Sequence, residues 1–398
     1  MSDYTTDGKG QNTMGKKLQP KLRFRGFTDA WEPRRLKSLH RQPLLVSPVP
    51  SQTYISWSVP AFSTGEPEIV KGSEIESVKQ SVNSSDVLLC RINPRINRVW
   101  VVEARKDTDL PMIASTEWVV FTGHNSDSYF LSALFTSSRF RNMLLSEVAG
   151  VTGSQKRFQI ASVLERQEYF PTQIEQARIG LLFAKVDNLI AAEKRKLDLL
   201  KQKKKALLHQ IFEQKLRFKG YNNPWERRKG SDIIHVRKET NSKPLTDTVD
   251  IELENLIEGG GLQGDISLRT ASTSVFREHD TLFGRLRPYL RKCWLADISG
   301  VKSGEIWALF SPTLKSEFLY ALTQSAQFLN PALQTAGTKM PRAEWKAIAE
   351  ACFTIPETDE QEKIGQLFRQ LEHLTAVETR KIDLLSVKKK ALLQKMFV

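Results

Sequence analysis

Two short segments come close to motifs that carry enzyme chemistry. Gly10 to Lys17 has the glycine-lysine spacing of a phosphate-binding loop, but Lys17 replaces the metal-binding Ser or Thr and no strand precedes the segment. Asn222 to Trp225 has part of the Asn-Pro-Pro-aromatic motif of amino-methyltransferases, without its second proline. We interpret the first segment as part of a disordered polar tail, residues 1–21, and the second as one copy of an internal repeat.

The remaining chemistry-bearing residue types are scattered along the chain. Cys90, Cys293 and Cys352 form no Cys-x-x-Cys pair, and the six histidines form no His-Glu-x-x-His motif. The sequence also has no nucleophile elbow, no glycine-rich cofactor loop after a strand and no nuclease set of carboxylates. We therefore expect no catalytic residue and no metal site.

Loops rich in arginine, asparagine and small residues are the strongest candidates for binding. Arginine donors suit guanine edges and phosphates, and small residues beside cations let backbone amides approach phosphates. The candidate DNA-binding residues are Arg91, Asn93, Arg95, Asn97, Arg98, Ser154, Lys156 and Arg157 in the first half of the chain, and Arg285, Arg287, Tyr289, Arg291, Lys292, Lys339 and Arg342 in the second. Ordinary surface loops have a similar composition, so both interpretations stay open.

The overall charge favours a polyanionic partner. The 398 residues carry a net charge of +14, and 40% of them are hydrophobic, which is enough to build a core in two or three domains. Nucleic acid is the leading class of partner for such a chain. No apolar run reaches the length of a membrane span, and the first residues lack the apolar core of a secretion signal. We expect a soluble cytoplasmic protein.

An internal repeat organises the chain. Seven residues of the segment Leu22–Arg34 recur 194 positions later in Leu216–Arg228, and the segment DVLLCRINPRINRVW has its counterpart in DTLFGRLRPYLRKCW at the same offset. A third block, which begins at Pro171, recurs 185 positions later at Pro356. The chain is therefore one unit repeated, and each copy is a globular module followed by a long helix.

The two helical segments have apolar residues at alternating steps of three and four. Each is about 40 residues and some 60 Å long. The candidate residues for helix pairing and a subunit interface are Leu182, Val186, Leu189, Leu197, Leu200 and Leu207, and Leu367, Leu371, Leu374, Ile382, Leu385 and Leu392. We expect the helices to pack on each other and any unpaired remainder to bind a partner. The alternative is that each helix packs on its own module. The runs Lys203–Lys205 and Lys388–Lys390 indicate a solvated face rather than a DNA contact.

The modules combine predicted strands with helices. Runs such as VLLCRI, EWVVF, TLFGRL and EIWALF have the composition of buried strands. The predicted fold class is α+β, with two mixed α/β modules separated by two long helices packed as an antiparallel coiled coil in an internal pseudo-twofold repeat. The predicted boundaries are 22–170 and 216–355 for the modules, and 171–215 and 356–398 for the helices.

The order of these blocks resembles the specificity subunit of type I restriction-modification systems. The resemblance runs from Leu22 to the end of the chain, and its most specific part is the helical block from Glu175-Gln176 to KKKALL. It implies that each module is a target recognition domain for one half of a bipartite double-stranded DNA sequence. It also implies that the helices set the spacing and bind methyltransferase (M) subunits. The second Gly-Thr-Lys loop departs from the first, because it continues into Met340-Pro341.

The resemblance further implies a non-catalytic chain. S-adenosylmethionine is bound by the methyltransferase partner, and ATP and Mg²⁺ by the restriction (R) partner. Two other classes remain open, namely a methyltransferase or nuclease with divergent motifs and a structural coiled-coil scaffold. The absence of a cofactor loop disfavours the first, and the two basic modules disfavour the second. The sequence does not give the DNA target or its spacer.

Overall fold

The repeated Leu-Arg-Phe motif supplies one arm of a buried ion pair in each copy. Arg23 donates from Nε and Nη2 to Glu175, both at 2.7 Å, and the Glu175 side chain is fully buried. In the second copy, Arg217 donates to Glu360 at 3.0 and 2.6 Å, and Trp225 Nε1 donates to the same carboxylate at 3.0 Å. The motif therefore fastens the start of each module to the start of a long helix.

The structure is a computed structural model that describes residues 20–104, 108–149, 156–241, 248–267, 273–334 and 340–397. The predicted tail, apart from Pro20 and Lys21, lies outside these residues. The chain divides into two compact units, Met1–Ala191 with Asp383–Val398, and Ala192–Ile382. In the ranges above, no helix is long and apolar enough to cross a membrane. The domain boundaries drawn from the sequence stay a prediction.

The first unit contains twelve strands and three short helices within its described residues. The strands are β1 (Glu32–Arg35), β2 (Leu45–Val46), β3 (Thr53–Trp57), β4 (Glu68–Lys71), β5 (Lys79–Ser81), β6 (Val87–Cys90), β7 (Val99–Val101), β8 (Met112–Ala114), β9 (Trp118–Phe121), β10 (Val148–Ala149), β11 (Arg157–Phe158) and β12 (Gln167–Phe170). The helices are α1 (Ser128–Thr136), α2 (Ser138–Ser146) and α3 (Ile160–Leu164). The long helix α4 (Gln173–Phe212) follows.

Four sheets form among the described residues of this unit. A five-stranded sheet has the order β2-β5-β8-β3-β4, with β3 and β8 parallel, and an antiparallel sheet has the order β7-β6-β9. Two antiparallel pairs, β1-β12 and β10-β11, complete the set. The strand β6 is apolar throughout because both its faces are buried: Leu88 and Cys90 pack with Trp57, whereas Val87 and Leu89 pack towards α1.

The second unit has nine strands and four short helices among its described residues. Its elements are β13 (Glu226–Lys229), α5 (Gly230–Ile233), β14 (His235–Val236), β15 (Val249–Ile251), β16 (Ser274–Phe276), β17 (Thr281–Gly284), β18 (Cys293–Leu295), β19 (Gly300–Lys302), β20 (Ile306–Phe310), α6 (Ser316–Gln324), α7 (Ala326–Ala332), α8 (Trp345–Glu350), β21 (Cys352–Ile355) and the long helix α9 (Thr358–Met396). The sheets are β14-β20-β17-β18, β15-β19-β16 and β13-β21. The arrangement β18-β17-β20 repeats β7-β6-β9, so the paired strands predicted from the repeat are confirmed.

The two long helices pack against each other in an antiparallel pair, as predicted. In the second unit, Lys196 pairs with Glu378, and Lys381 with Glu193. In the first unit, Lys389 Nζ lies 2.5 Å from Asp187 Oδ1. Opposite ends of the two helices enter the cores: Leu393, Met396 and Phe397 pack in the first unit, and Ile211 and Phe212 in the second. The helices therefore pair with each other and also pack on modules.

The lysine run at residues 203–205 is not a uniformly solvated face. Lys204 is only 8% exposed, and its Nζ donates to the backbone oxygen of Gly259 at 2.7 Å. Lys203 and Lys205 are exposed. Lys204 continues the apolar stripe of its helix, and this explains why the helix buries it. Lys389 in the second run is half-buried in its pair with Asp187. The solvated-face interpretation is therefore wrong for these two lysines.

We expect Lys302 to make the stability of the second unit depend on pH. The side chain is 5% exposed and donates to the oxygen of Ile306 at 2.7 Å. Burial, followed by the charge of Arg285, lowers its pKa from 10.5 to about 8. The folded state therefore binds fewer protons than the unfolded state between these values, so stability should rise as the pH increases through this window.

We expect Lys302→Met to abolish this dependence. Between about pH 7 and pH 10, the wild type should gain about 2 to 3 kcal/mol of unfolding free energy relative to the variant. Urea unfolding of both proteins at the two pH values measures the difference, with the exposed Lys346→Met variant as control. If wild type and Lys302→Met differ in unfolding free energy by the same amount at both pH values, Lys302 does not titrate in this range.

Candidate nucleic-acid interface

The two candidate basic segments of the first unit lie side by side. One is the loop of residues 91–98 between β6 and β7, and the other leads through Lys156 into β11. Asn93 N donates to Lys156 O at 2.8 Å, and Phe158 N donates to Arg91 O at 3.3 Å. Asn93 has a left-handed backbone with φ of 46°. The loop and the segment are therefore held by direct backbone hydrogen bonds.

A carboxylate joins the two segments through their arginines. Arg157 Nε and Nη2 donate to Glu117 at 3.0 and 2.8 Å, and Arg91 Nε lies 3.3 Å from Glu117 Oε2. The backbone N of Arg91 also donates to Glu117 O at 3.0 Å. The hydrogen bond from Arg157, together with the charges of Arg157 and Arg91, lowers the pKa of Glu117, and Glu117 raises the pKa of Arg157. We name this arrangement the Arg–Glu–Arg clamp.

The second unit forms a related clamp at the equivalent positions, in which Arg342 pairs with the carboxylate whereas Arg285 contributes its backbone N and its nearby charge. Arg342 donates from Nε and Nη2 to Glu305, the shortest contact being 2.9 Å. Arg285 N donates to Glu305 O at 2.9 Å, and the guanidinium of Arg285 lies over the Trp307 ring. The hydrogen bond from Arg342, assisted by the charges of Arg342 and Arg285, lowers the pKa of Glu305.

The backbone of this second clamp also follows the first. Arg287 N donates to Pro341 O and Ala343 N to Arg285 O, both at 2.8 Å. Arg287 has φ of 51°, the same left-handed conformation as Asn93. The loop of residues 285–292 therefore meets the segment before Ala343 in the way seen in the first unit. The departure at Met340-Pro341 does not disturb this contact.

Three of the candidate residues turn into their own unit. Asn97 Nδ2 donates to Phe135 O at 2.6 Å, and Arg98 Nη1 donates to Ile92 O at 3.3 Å. Lys292 Nζ donates to Leu253 O at 2.8 Å. These side chains hold the loops in place from inside, so at least one donor of each is used within the unit.

Other candidates keep their polar groups available. Arg95 and Lys156 in the first unit, and Arg287, Tyr289 and Arg291 in the second, have side chains without a hydrogen bond or ion pair to any residue in the described part of the chain. All except the half-buried Lys156 are exposed. Arg95 and Lys156 line an open depression of about 360 Å³ together with Asn93, Pro94, Leu145 and Val148. Ser154 and Lys339 lie outside the described residues.

Sequence reasoning missed the two central carboxylates, Glu117 and Glu305. Each stands at the start of a predicted strand, in EWVVF and EIWALF, so the repeat itself was visible. The offset between them is 188 residues, which differs from the 194 and 185 of the other repeat blocks. The pairing of each Glu with arginines from two separate segments could not be read from local pattern.

The candidate residues of the long helices fall into two groups. Leu371 and Ile382 are buried, and the half-buried members are Leu182, Val186, Leu197, Leu200, Leu207, Leu367, Leu385 and Leu392. Leu189 and Leu374, which are equivalent in the repeat, are 52% and 47% exposed. Leu199 and Leu384, another equivalent pair, are also exposed. Each helix therefore retains apolar side chains that the helix pair does not cover.

The chemistry available at the loops is that of binding. The free groups are guanidinium, ammonium and phenol donors, which suit phosphate oxygens and base edges. Across the described ranges, no group of three or more His, Cys, Asp or Glu side chains could hold a metal ion.

Comparisons with known proteins support the fold. No family model and no curated protein matches the chain. Among solved structures, the type I restriction-modification S subunit from M. genitalium has a TM-score of 0.61 and 13% identity, covering 96% of this chain and 99% of that one.

Two further structures are similar over 92% of the chain. The HsdS subunit from Thermoanaerobacter tengcongensis has a TM-score of 0.39 and 19% identity, covering 92% of this chain and 96% of that one. A chain from a study of complex assembly and conformational transition of the type I R-M system has a TM-score of 0.49 and 18% identity, covering 92% and 97%. The likeness to the M. genitalium protein shows that this chain has the fold of a type I restriction-modification S subunit.

Proposed function

We propose that the chain is the DNA-specificity subunit of a type I restriction-modification complex. The observation that carries this proposal is the repeated clamp, beside which a basic loop is held by equivalent backbone hydrogen bonds in both units. Two similar but non-identical loops suit two different half-sites on one asymmetric duplex. The net charge of +14 supports binding to a polyanion.

The two long helices would set the distance between the half-sites and bind methyltransferase subunits. Their mutual ion pairs fix the helix register, as a spacer requires. The exposed equivalent leucines, Leu189 with Leu374 and Leu199 with Leu384, offer two similar apolar patches. Repeated patches suit two copies of one partner. Restriction subunits would join through the assembled complex.

In this proposal the chain carries no catalytic group. S-adenosylmethionine belongs to the methyltransferase subunits, and ATP and Mg²⁺ belong to the restriction subunits. A scaffold without DNA contact is the competing proposal, and the unpaired cations of both loops disfavour it. A divergent methyltransferase is disfavoured because the sequence has no glycine-rich cofactor loop after a strand.

Purified chain alone is expected neither to transfer methyl groups nor to hydrolyse ATP. It should bind a defined DNA sequence only after mixing with a type I methyltransferase subunit encoded in the same genome. Methyl transfer from labelled S-adenosylmethionine to DNA, measured with each component alone and with both, checks this. Methyl transfer by the chain in preparations free of the partner would contradict the proposal.

A further inference from the structure

The Arg–Glu–Arg clamp places a negative charge within each cationic loop pair. Glu117 and Glu305 are partly exposed, with 28% and 33% of their side-chain surfaces accessible. A carboxylate near DNA phosphates costs binding energy by like-charge repulsion. Because a carboxylate occupies the equivalent position in both units, we look for a role of this carboxylate other than direct contact with DNA.

We propose that Glu117 and Glu305 are positioning residues that fix the conformation of the two DNA-binding loops. The side chains that determine each half-site are then those that the clamps leave unpaired. They are Arg95 and Lys156 in the first unit and Arg287, Tyr289 and Arg291 in the second. This inference rests on the proposed function. It divides the cations of each loop into those that hold the loop in its conformation and those that contact the DNA.

The backbone of each loop needs such a constraint. Asn93 and Arg287 occupy the left-handed region, with φ of 46° and 51°, which costs energy for residues other than glycine. Each donates its backbone N to the neighbouring segment, at Lys156 O and Pro341 O respectively. The clamp residues lie beside this contact. Arg91 and Arg285 come two residues before Asn93 and Arg287, and Arg157 and Arg342 come directly after Lys156 and Pro341. It therefore stabilises a conformation that the isolated loop would rarely adopt.

The geometry of the paired arginines assigns them to the clamp. Arg157 and Arg342 each commit Nε and Nη2 to a carboxylate, in the fork geometry that makes such pairs strong. Using that edge for a base would leave the carboxylate without its partner. Arg95 and Arg287 have no such commitment among the described residues, so their full set of donors is available to guanine or phosphate.

The test is Glu117→Gln in the complete complex of the chain with its methyltransferase subunits. Methylation rates are measured on duplexes with single base changes in the first or the second half-site. We expect discrimination at the first half-site to fall by about 5- to 150-fold, with the second unchanged. Binding to unrelated DNA should become stronger, because the variant loses a negative charge. Glu305→Gln should give the mirror result at the second half-site.

Two further variants serve as controls for Glu117→Gln. Glu165→Gln makes the same charge change in the first unit, at an exposed pair with Arg35 and Lys37, and should leave discrimination unchanged. Glu117→Asp keeps the charge and should restore most of the discrimination. Arg95→Ala removes an exposed side chain without a partner in the described chain, so it should fold normally and lose discrimination at the first half-site only.

The outcomes separate this inference from the proposed function. Unchanged discrimination in Glu117→Gln or in Arg95→Ala, or an equal loss at both half-sites, overturns the inference while the specificity role stands. A wild-type complex that methylates no bipartite sequence overturns the proposed function and this inference with it.

Discussion

Replacing Glu360 with alanine should lower the unfolding free energy of the second unit by about 3 to 5 kcal/mol. The Glu360 side chain is 1% exposed and accepts hydrogen bonds from Arg217 and Trp225. Its removal leaves the guanidinium of Arg217, itself only 17% exposed, without its ion-pair partner. The loss corresponds to a fall of about 10 °C in melting temperature for a unit of this size.

The control residue, Glu362, lies two residues further along the same helix. Glu362 is exposed and accepts a hydrogen bond from Nε2 of the exposed Gln366 at 3.3 Å. Glu362→Ala should cost less than about 0.5 kcal/mol. Denaturant unfolding of both variants measures the difference. Equal losses in the two variants, or a loss below about 1 kcal/mol for Glu360→Ala, would show that the repeated arginine does not fasten the module to its helix.

A matched insertion in both long helices should lengthen the spacer of the DNA target. Four residues after Lys194 and four after Thr379 would enter at equivalent positions of α4 and α9. The two residues of the pair Glu193–Lys381 then lie on one side of the inserted segments, and the two residues of the pair Lys196–Glu378 lie on the other side, so both ion pairs can still form. Each helix gains about 6 Å, and DNA rises about 3.4 Å per base pair, so we expect one to two additional base pairs.

Mapping of modified bases in cells that carry the insertion variant decides this prediction. The half-site sequences should stay the same, because both basic loops are untouched. An insertion after Gln202 alone, which shifts Lys204 away from Gly259 without a matching change in α9, should instead abolish activity. Full activity with an unchanged spacer in the matched variant would mean that the helices do not set the distance.

The sequence allowed the paired strands and the long helices to be predicted because their signals are local. The run VLLCRI is apolar on both faces in β6, and the steps of three and four in the helices match their buried stripes. The matching length and pattern of the helices predicted that they pair. The charges that set their register, such as Lys196 with Glu378, were visible only once the two helices were aligned.

The two basic segments that meet in each unit could be found in the sequence, but the contacts between them could not. Both basic segments of each half were identified, because arginine, asparagine and glycine are conspicuous between strands. Their contact, from Asn93 to Lys156, joins residues far apart in the chain and has no local pattern. The hydrogen bonds from Arg157 to Glu117 and from Asn97 to Phe135 likewise join residues that are far apart in the chain. Composition gives the number of cations in a loop, whereas tertiary contacts decide which of them are free.

The most direct test of the account is a map of modified bases in cells that carry the chain and its methyltransferase partner. Two units with similar but distinct loops predict that the modified bases fall within one asymmetric sequence, whose two specific parts flank a non-specific spacer of constant length. Modification within a single uninterrupted sequence, or within a palindrome of two identical parts, would contradict the claim that each unit recognises its own half-site.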